Sequence, residues 1–396
     1  MERLYYKLPY VKEFDGTVKE CREGKKGRYE VILDKTAFFP EGGGQPGDTG
    51  LLDQVRVLDQ VRVLDQVRVL DTKEKDGQVI HFTDKFLEPG TTVHGVLDWE
   101  KRFENMQGHS GEHILTGLIH KTYGYDNVGF HMGSEEITID FNGVVEPEML
   151  AALEVEANKI VSANIPFLVS CPSKEELEQM EYRSKKELTG EVRIITIPDV
   201  DVCACCGTHV ERSGEVGIIK VLGMINYKGG VRISMLCGMP AFRKLDCYEK
   251  QIGELSVLLS AKQEKIVETV AKLKGENQEK DMKLNKLYQT MFETKAEGYP
   301  VSSQPLVVFE KDLEPVQIRQ LCTMLYEKNK GNVVVVCSQK GDTFQYAAGS
   351  SSVDMKVFSK TLNGLLNGRG GGSSLMAQGT FQAEAEAIEA AVKANA

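Results

Sequence analysis

Two pairs of metal-ligating side chains, far apart in the chain, constrain its fold more than anything else. The first is His109-Ser-Gly-Glu-His113 and the second Cys205-Cys-Gly-Thr-His209. The first pair lies in a stretch with helical periodicity. Its i, i+4 spacing puts both imidazoles on one helical face, close enough to share an ion. The second pair has the same spacing and is predicted on a turn after a strand. Together they offer three nitrogens and one thiolate, a donor set that suits Zn²⁺. Either pair alone is a weak signal; the two together predict a shared site. Cys203 and Cys206 flank Cys205 and are alternative thiolates.

Glu112 opens a rival reading. His-x-x-Glu-His is also the inverted zinc-protease pattern, in which the glutamate activates a water. That reading needs a downstream acidic ligand and leaves Cys205 and His209 without a purpose, so it ranks below the four-ligand site.

The chain has 396 residues, 41% of them hydrophobic, which allows two or three domains. The net charge of -10 argues against a general polyanion binder. It leaves room for a specific nucleic-acid partner, because local patches bind phosphate even on an acidic protein. MERLYYKLPYV carries no apolar run long enough for a signal peptide, and no stretch approaches a membrane span. The expectation is a cytoplasmic protein, where disulfides are rare. Its nine cysteines then read as metal ligands or buried core thiols.

The predicted class is α+β. Residues 1–95 alternate and are turn-rich, as in a small N-terminal β-barrel. Within them QVRVLD occurs three times in tandem, from Gln54 to Asp71. The even repeat unit preserves the inward and outward parity of a strand, so a long hairpin or a loop absorbs it. A duplication by slippage explains it better than a functional repeat. Residues 96–241 alternate helix and strand, giving an α+β domain around the ligands. The helix from about Lys101 to Tyr123 stops at Gly124. Residues 242–298 form a long helical linker in which Leu245, Ile252, Leu259, Ile266 and Leu273 recur every seven residues. Gly275 breaks this register. The pattern fits a helix or helical hairpin packed on its own chain as well as it fits a homodimer seam. Residues 299–396 form a C-terminal α/β domain with NGRGGGSSLMAQG between predicted helices, and it too offers a dimer surface.

Phe38-Phe-Pro-Glu-Gly-Gly-Gly-Gln45, His109-x-x-x-His113 and Cys205-x-x-x-His209, in that order, resemble the editing domain of alanyl-tRNA synthetase. They resemble its free-standing relatives, the AlaX trans-editing proteins, more closely still. NGRGGGSSLMAQG is similar to the glycine-rich motif of the DHH-associated domain, the C-terminal tRNA-binding module of that synthetase. A synthetase catalytic core and an Asp-His-His signature are missing, so the layout resembles the long class of AlaX. The resemblance covers nearly the whole chain. Two features depart from it: Cys206 stands where the family has glycine, and the triple QVRVLD has no counterpart.

The resemblance implies hydrolysis of Ser-tRNA(Ala), and of Gly-tRNA(Ala), in trans at a zinc-containing site. A pocket for alanine cannot exclude the smaller glycine and rejects serine only modestly, so a second, hydrolytic site is needed. It further implies that Thr36 bonds a serine hydroxyl and that Gln45 holds the substrate amine or carbonyl. Gly42, Gly43 and Gly44 would let the backbone approach the substrate. Arg232 matches a family arginine near the pocket; His131 and Asp140 are better read as core or surface residues. Arg369, Gly370, Gly371 and Gly372 would contact tRNA through the guanidinium and main-chain amides. A non-catalytic, zinc-containing RNA-binding protein is the alternative, because four protein ligands normally make a closed structural site.

Overall fold

The computed structural model describes residues 1–58, 61–184 and 192–396, with the side chains of residue 26 and residues 54–65 excepted. The chain divides into two compact units, Met1–Gly253 and Glu254–Ala396.

The first unit begins with a closed six-stranded barrel. Its strands are β1 (Glu13–Glu23), β2 (Tyr29–Leu33), β3 (Gly50–Leu58), β4 (Val61–Lys75), β5 (Gln78–Thr83) and β6 (Thr92–Leu97). They run β1-β2-β5-β4-β3-β6, and β6 closes back on β1. Phe14, Val31, Leu33, Phe38, Leu52, Val67, Val69 and Val93 fill the interior. Alternation along the described parts of β3 and β4 sends Leu52, Val67 and Val69 inward. The QVRVLD repeat is absorbed by the β3–β4 hairpin, paired in register from Gly50–Val69 to Leu58–Val61. In the third copy Val67 and Val69 are buried while Gln66 and Arg68 are exposed, as the even repeat predicts. The side chains of the first two copies, together with all of Asp59 and Gln60, lie outside the described residues.

Helix α1 (Trp99–Tyr123) follows. The Asp98 carboxylate accepts the Lys101 amide at its start, and Gly124 ends it at φ 70°. The helix is buried from Met106 to Ile119. It packs on a four-stranded sheet of β7 (Asn127–Met132), β8 (Ile137–Phe141), β12 (Ile219–Tyr227) and β13 (Gly230–Cys237), ordered β12-β13-β8-β7. Between β8 and β12 come helix α2 (Pro147–Ala163) and a three-stranded sheet of β9 (Leu168–Ser170), β10 (Ile194–Ile197) and β11 (Asp201–Ala204). Gly108 and Gly111 face the large sheet: a Cβ at Gly108 would meet Ile137 and Met132, and one at Gly111 would meet Cys237 Sγ at 2.3 Å. A Cβ at Gly117 would lie 2.5 Å from Val200 O. Each glycine costs about 1 kcal/mol of helix propensity, which the close approach of sheet and loop offsets.

The predicted linker is two helices, α3 (Gly238–Leu258) and α4 (Ile266–Glu297). They part near Ser260, whose φ of 48° no helix tolerates. Helix α4 runs unbroken through Gly275.

In the second unit β14 (Leu306–Lys311), β15 (Val334–Lys340), β16 (Thr343–Gly349), β17 (Arg369–Gly372) and β18 (Met376–Phe381) form one sheet, ordered β14-β15-β16-β18-β17. Helices α5 (Pro315–Glu327), α6 (Met355–Leu365) and α7 (Ala385–Asn395) pack against it. The glycine-rich run, read as a segment between helices, is therefore an antiparallel hairpin with β17 at the sheet edge. A Cβ at Gly370, Gly372 or Gly379 would fall 2.1 to 2.4 Å from a carbonyl oxygen of the paired strand, so the run is glycine for pairing. Among the described residues no helix is long and apolar enough to cross a membrane.

Candidate metal centre

Helix α1 delivers His109 and His113 from the same face, and the loop after β11 delivers Cys205 and His209. One ligand atom from each of the four lies within 4.8 Å of the others. Cys205 Sγ is 3.4 Å from His109 Nε2 and 3.6 Å from His209 Nε2. A tetrahedral zinc with ordinary Zn–S and Zn–N bonds has S···N edges of about 3.5 Å, so these separations fit the ion. Nε2 of His113 is buried and has no hydrogen-bond partner among the described residues, as a ligand nitrogen should be. Phe130 lies 5.0 Å from the His109 ring, and Phe167 lies over His209 at 6.4 Å, centroid to centroid.

The open question of the thiolate has a geometric answer. Cys205 groups with the three histidines. Cys203 is buried in a second cluster with His113 and Asp201, and Cys206 is exposed and in neither. Burial alone would raise the Cys205 thiol, but the imidazoles of His109 and His209 outweigh it and hold its pKa well below the usual thiol range. Burial pushes His209 down to about 3. These two shifts favour the proton-free forms that bind a metal, whereas at His113 burial is outweighed by Asp201 and Cys205, which hold the metal-free imidazole well above its usual range.

The ligands are held by a surrounding frame. Asp201 Oδ2 accepts from His113 Nδ1 at 2.8 Å, and Arg183 grips Asp201 with two hydrogen bonds of 2.8 Å. Arg193 donates to Cys205 O at 3.0 Å and Gly207 O at 2.8 Å, clamping the ligand loop. Ser110 Oγ accepts from Val210 N at 3.0 Å, tying α1 to the same loop. Gly207 lies so close to His109 that a Cβ there would fall 2.1 Å from Cε1 of the ring.

Gln45 belongs to this frame. It is fully buried. Its Oε1 accepts from His109 Nδ1 at 3.0 Å and from Thr208 N at 3.1 Å, and its Nε2 donates to Thr208 Oγ1 at 2.8 Å. The amide expected to hold substrate is thus engaged in orienting a ligand. Gly42 and Gln45 close a tight turn through mutual backbone bonds of 3.1 Å, with Gly43 at φ 60° and Gly44 at φ 86°. Gly44 O accepts from Met132 N at 3.0 Å, seating the turn on β7 beside the metal ligands. The other end of the segment is anchored by buried Arg102, whose Nε donates to Asp48 Oδ2 at 2.8 Å and whose Nη2 donates to Ala37 O at 2.6 Å.

The other residues singled out from sequence are held by contacts of their own. Thr36 is fully buried in the barrel; its hydroxyl donates to His81 Nε2 at 2.8 Å and accepts from Phe38 N at 3.1 Å. Arg232 makes a two-pronged ion pair with Asp140, at 2.6 and 2.7 Å, and lies over Tyr227. Its cross-strand partners are Asp140 and Ile225, whereas α1 packs on the face carrying Ile137, Ile139 and Ile233. Arg232 therefore points away from the histidine helix, because successive strand residues face opposite sides. His131 is exposed. Glu112, the water-activating residue of the rival protease reading, accepts from Thr116 Oγ1 at 2.9 Å and from Asn127 Nδ2. Arg369, Gly370, Gly371 and Gly372 are all exposed along β17, in the second unit.

Asp201, Arg183, Arg193, Arg102, Asp48 and Gly207 were not singled out from sequence. A carboxylate four residues before Cys205 and an arginine seven before His109 carry no motif, and only their contacts reveal them.

Comparison with known proteins fits this geometry. Residues 5–101 match the family of class II (A) tRNA synthetases. Residues 192–234 match the threonyl and alanyl tRNA synthetase second additional domain, and residues 302–395 the DHHA1 domain. The alanyl-tRNA editing protein AlaX-L of Pyrococcus horikoshii is 31% identical over 98% of this chain and 96% of its own. The alanyl-tRNA editing protein Aarsd1 of Danio rerio is 33% identical over 67% of this chain and 65% of its own. The alanine–tRNA ligase of Methanoregula boonei is 31% identical over 96% of this chain but only 41% of its own. With the three domains in this order and nearly the full length of AlaX-L aligned, the chain belongs to the AlaX family of alanyl-tRNA editing proteins, in its long form.

Proposed function

We propose that the protein is an aminoacyl-tRNA deacylase that hydrolyses mischarged Ser-tRNA(Ala), and Gly-tRNA(Ala), in trans at a zinc-containing site. The observation that carries this reading is the convergence of His109, His113, Cys205 and His209 within 4.8 Å, on the segments that resemble the editing domain. Three imidazoles and one thiolate favour zinc over harder cations such as magnesium. When bound, zinc supplies Lewis acidity to an ester carbonyl or a water molecule.

The chain's own residues do the rest. Gln45 and Asp201 fix two imidazoles with Nε2 facing the shared centre. Phe130 and Phe167 flank the ligands with apolar surface. The exposed Gly43 turn brings backbone next to the ligand cluster. The edge strand Arg369–Gly372 offers a guanidinium and exposed main chain to RNA backbone.

The test is direct. The protein is incubated with Ser-tRNA(Ala), Gly-tRNA(Ala) and Ala-tRNA(Ala), and loss of each ester is followed. Loss of the serine or glycine ester with retention of the alanine ester supports editing. Binding of all three without hydrolysis would instead support the non-catalytic RNA-binding alternative.

A further inference from the structure

Four protein ligands leave a zinc ion closed, whereas hydrolytic zinc needs a position that substrate or water can enter. The surroundings of the three imidazoles are unequal. A histidine that binds a metal through Nε2 carries its proton on Nδ1, and that N–H normally has an acceptor which fixes the ring and strengthens the bond. His113 has the carboxylate of Asp201 at 2.8 Å. His109 has the amide oxygen of Gln45 at 3.0 Å. Nδ1 of His209 is buried and has no partner among the described residues. Its ring neighbours His109, His113 and Phe167 present ring faces and edges. Cys205 is itself supported, because Gly207 N donates to its Sγ at 3.4 Å.

We infer that His209 is the labile ligand, the one that yields its position to a small oxygen donor such as the substrate's ester carbonyl or a water molecule. Metal binding by His209 leaves a buried N–H unsatisfied, and release of the ring relieves it. The other three ligands keep the ion in place. This inference rests on the zinc reading above, and it reconciles a four-residue site with hydrolysis.

The test ranks the ligands. Zinc affinity is measured by chelator competition for the parent and for His109→Ala, His113→Ala, Cys205→Ser and His209→Ala. Oriented ligands are worth more than the roughly 10- to 100-fold that their outer partners contribute. The first three variants should therefore lose at least about a hundredfold, and His209→Ala about tenfold. In the Co²⁺-loaded His209→Ala protein, added imidazole should shift the visible absorption by filling the vacated position.

A second measurement needs no substitution. In the zinc-loaded parent with ¹⁵N-labelled histidine, the Nδ1 protons of His109 and His113 should exchange slowly with solvent and that of His209 quickly. Collapse of metal binding in His209→Ala to the level of His113→Ala, or equal protection of all three protons, would overturn the inference while leaving the zinc site intact. A parent that takes up no zinc would overturn both together.

Discussion

Replacing Gly207 with alanine probes the metal centre by a single methyl group. The Cβ would lie 2.1 Å from His109 Cε1, 2.3 Å from Nδ1 and 3.1 Å from Gln45 Oε1. Non-bonded carbons settle at about 3.5–4.0 Å, so the ring and the loop must separate by at least about 1.4 Å. Metal–ligand distances tolerate only about 0.2 Å. A shift of this size breaks the 3.0 Å bond between His109 and Gln45 and withdraws Nε2 from the centre. Zinc affinity should fall by at least about a hundredfold, equivalent to about 2.8 kcal/mol. Gly43→Ala is the matching control. Gly43 has φ 60° but nothing within 4 Å of a new Cβ, so it costs about 1–2 kcal/mol of backbone strain and leaves the ligands in place. Chelator competition on both proteins, with far-ultraviolet circular dichroism to check folding, decides the matter. A folded Gly207→Ala protein with parental zinc affinity would refute the packing argument.

Four further outcomes follow from the same contacts. Burial pushes His81 down to about 4. The unfolded chain takes up that proton first, so stability is full above about pH 6.5 and falls as the pH drops toward 4. By pH 5 about 2 kcal/mol should be lost, read as a denaturant midpoint shift that His81→Gln abolishes. Cys206→Ser should bind zinc like the parent while Cys205→Ser loses it, because only Cys205 joins the histidines; equal losses would reopen the choice of thiolate. Thr36→Val removes a hydroxyl that still has one free lone pair for a serine side chain. It should narrow the preference for serine over alanine ester, and an unchanged ratio would confine Thr36 to its bonds with His81 and Phe38. Arg369→Glu should weaken tRNA binding by a filter assay with zinc content unchanged, and undiminished binding would remove β17 from the RNA contact.

How much of this was legible in sequence depends on whether the information is local. The barrel, helix α1 and its Gly124 stop follow from alternation, periodicity and capping, which neighbouring residues encode. Each candidate ligand pair follows from its i, i+4 spacing, which is local, whereas the meeting of the two pairs within 4.8 Å is a property of the fold. The break near Ser260 was not legible, because the seven-residue leucine and isoleucine pattern continues across it. Nor was the strand at Arg369–Gly372, because a glycine run carries no periodicity and its pairing with Met376–Phe381 depends on the partner's carbonyls.

The roles of Gln45 and Arg232 show the limit most clearly. Their identities marked them as important, but a side chain's duty is set by what lies within about 3 Å of it. For Gln45 the neighbours are His109 and Thr208, which come from two other segments. An amide that orients a ligand and an amide that holds a substrate look the same in a motif. They differ in what the donors and the acceptor already meet: Gln45 Oε1 takes His109 and Thr208 N, and one of its two N–H groups goes to Thr208 Oγ1. The same accounting, applied to the Nδ1 atoms of the three histidines, separates His209 from its two partners. The two candidate pairs are therefore readable from sequence, whereas which of the three imidazoles has an acceptor at Nδ1 is a property of contacts that only the folded chain brings together.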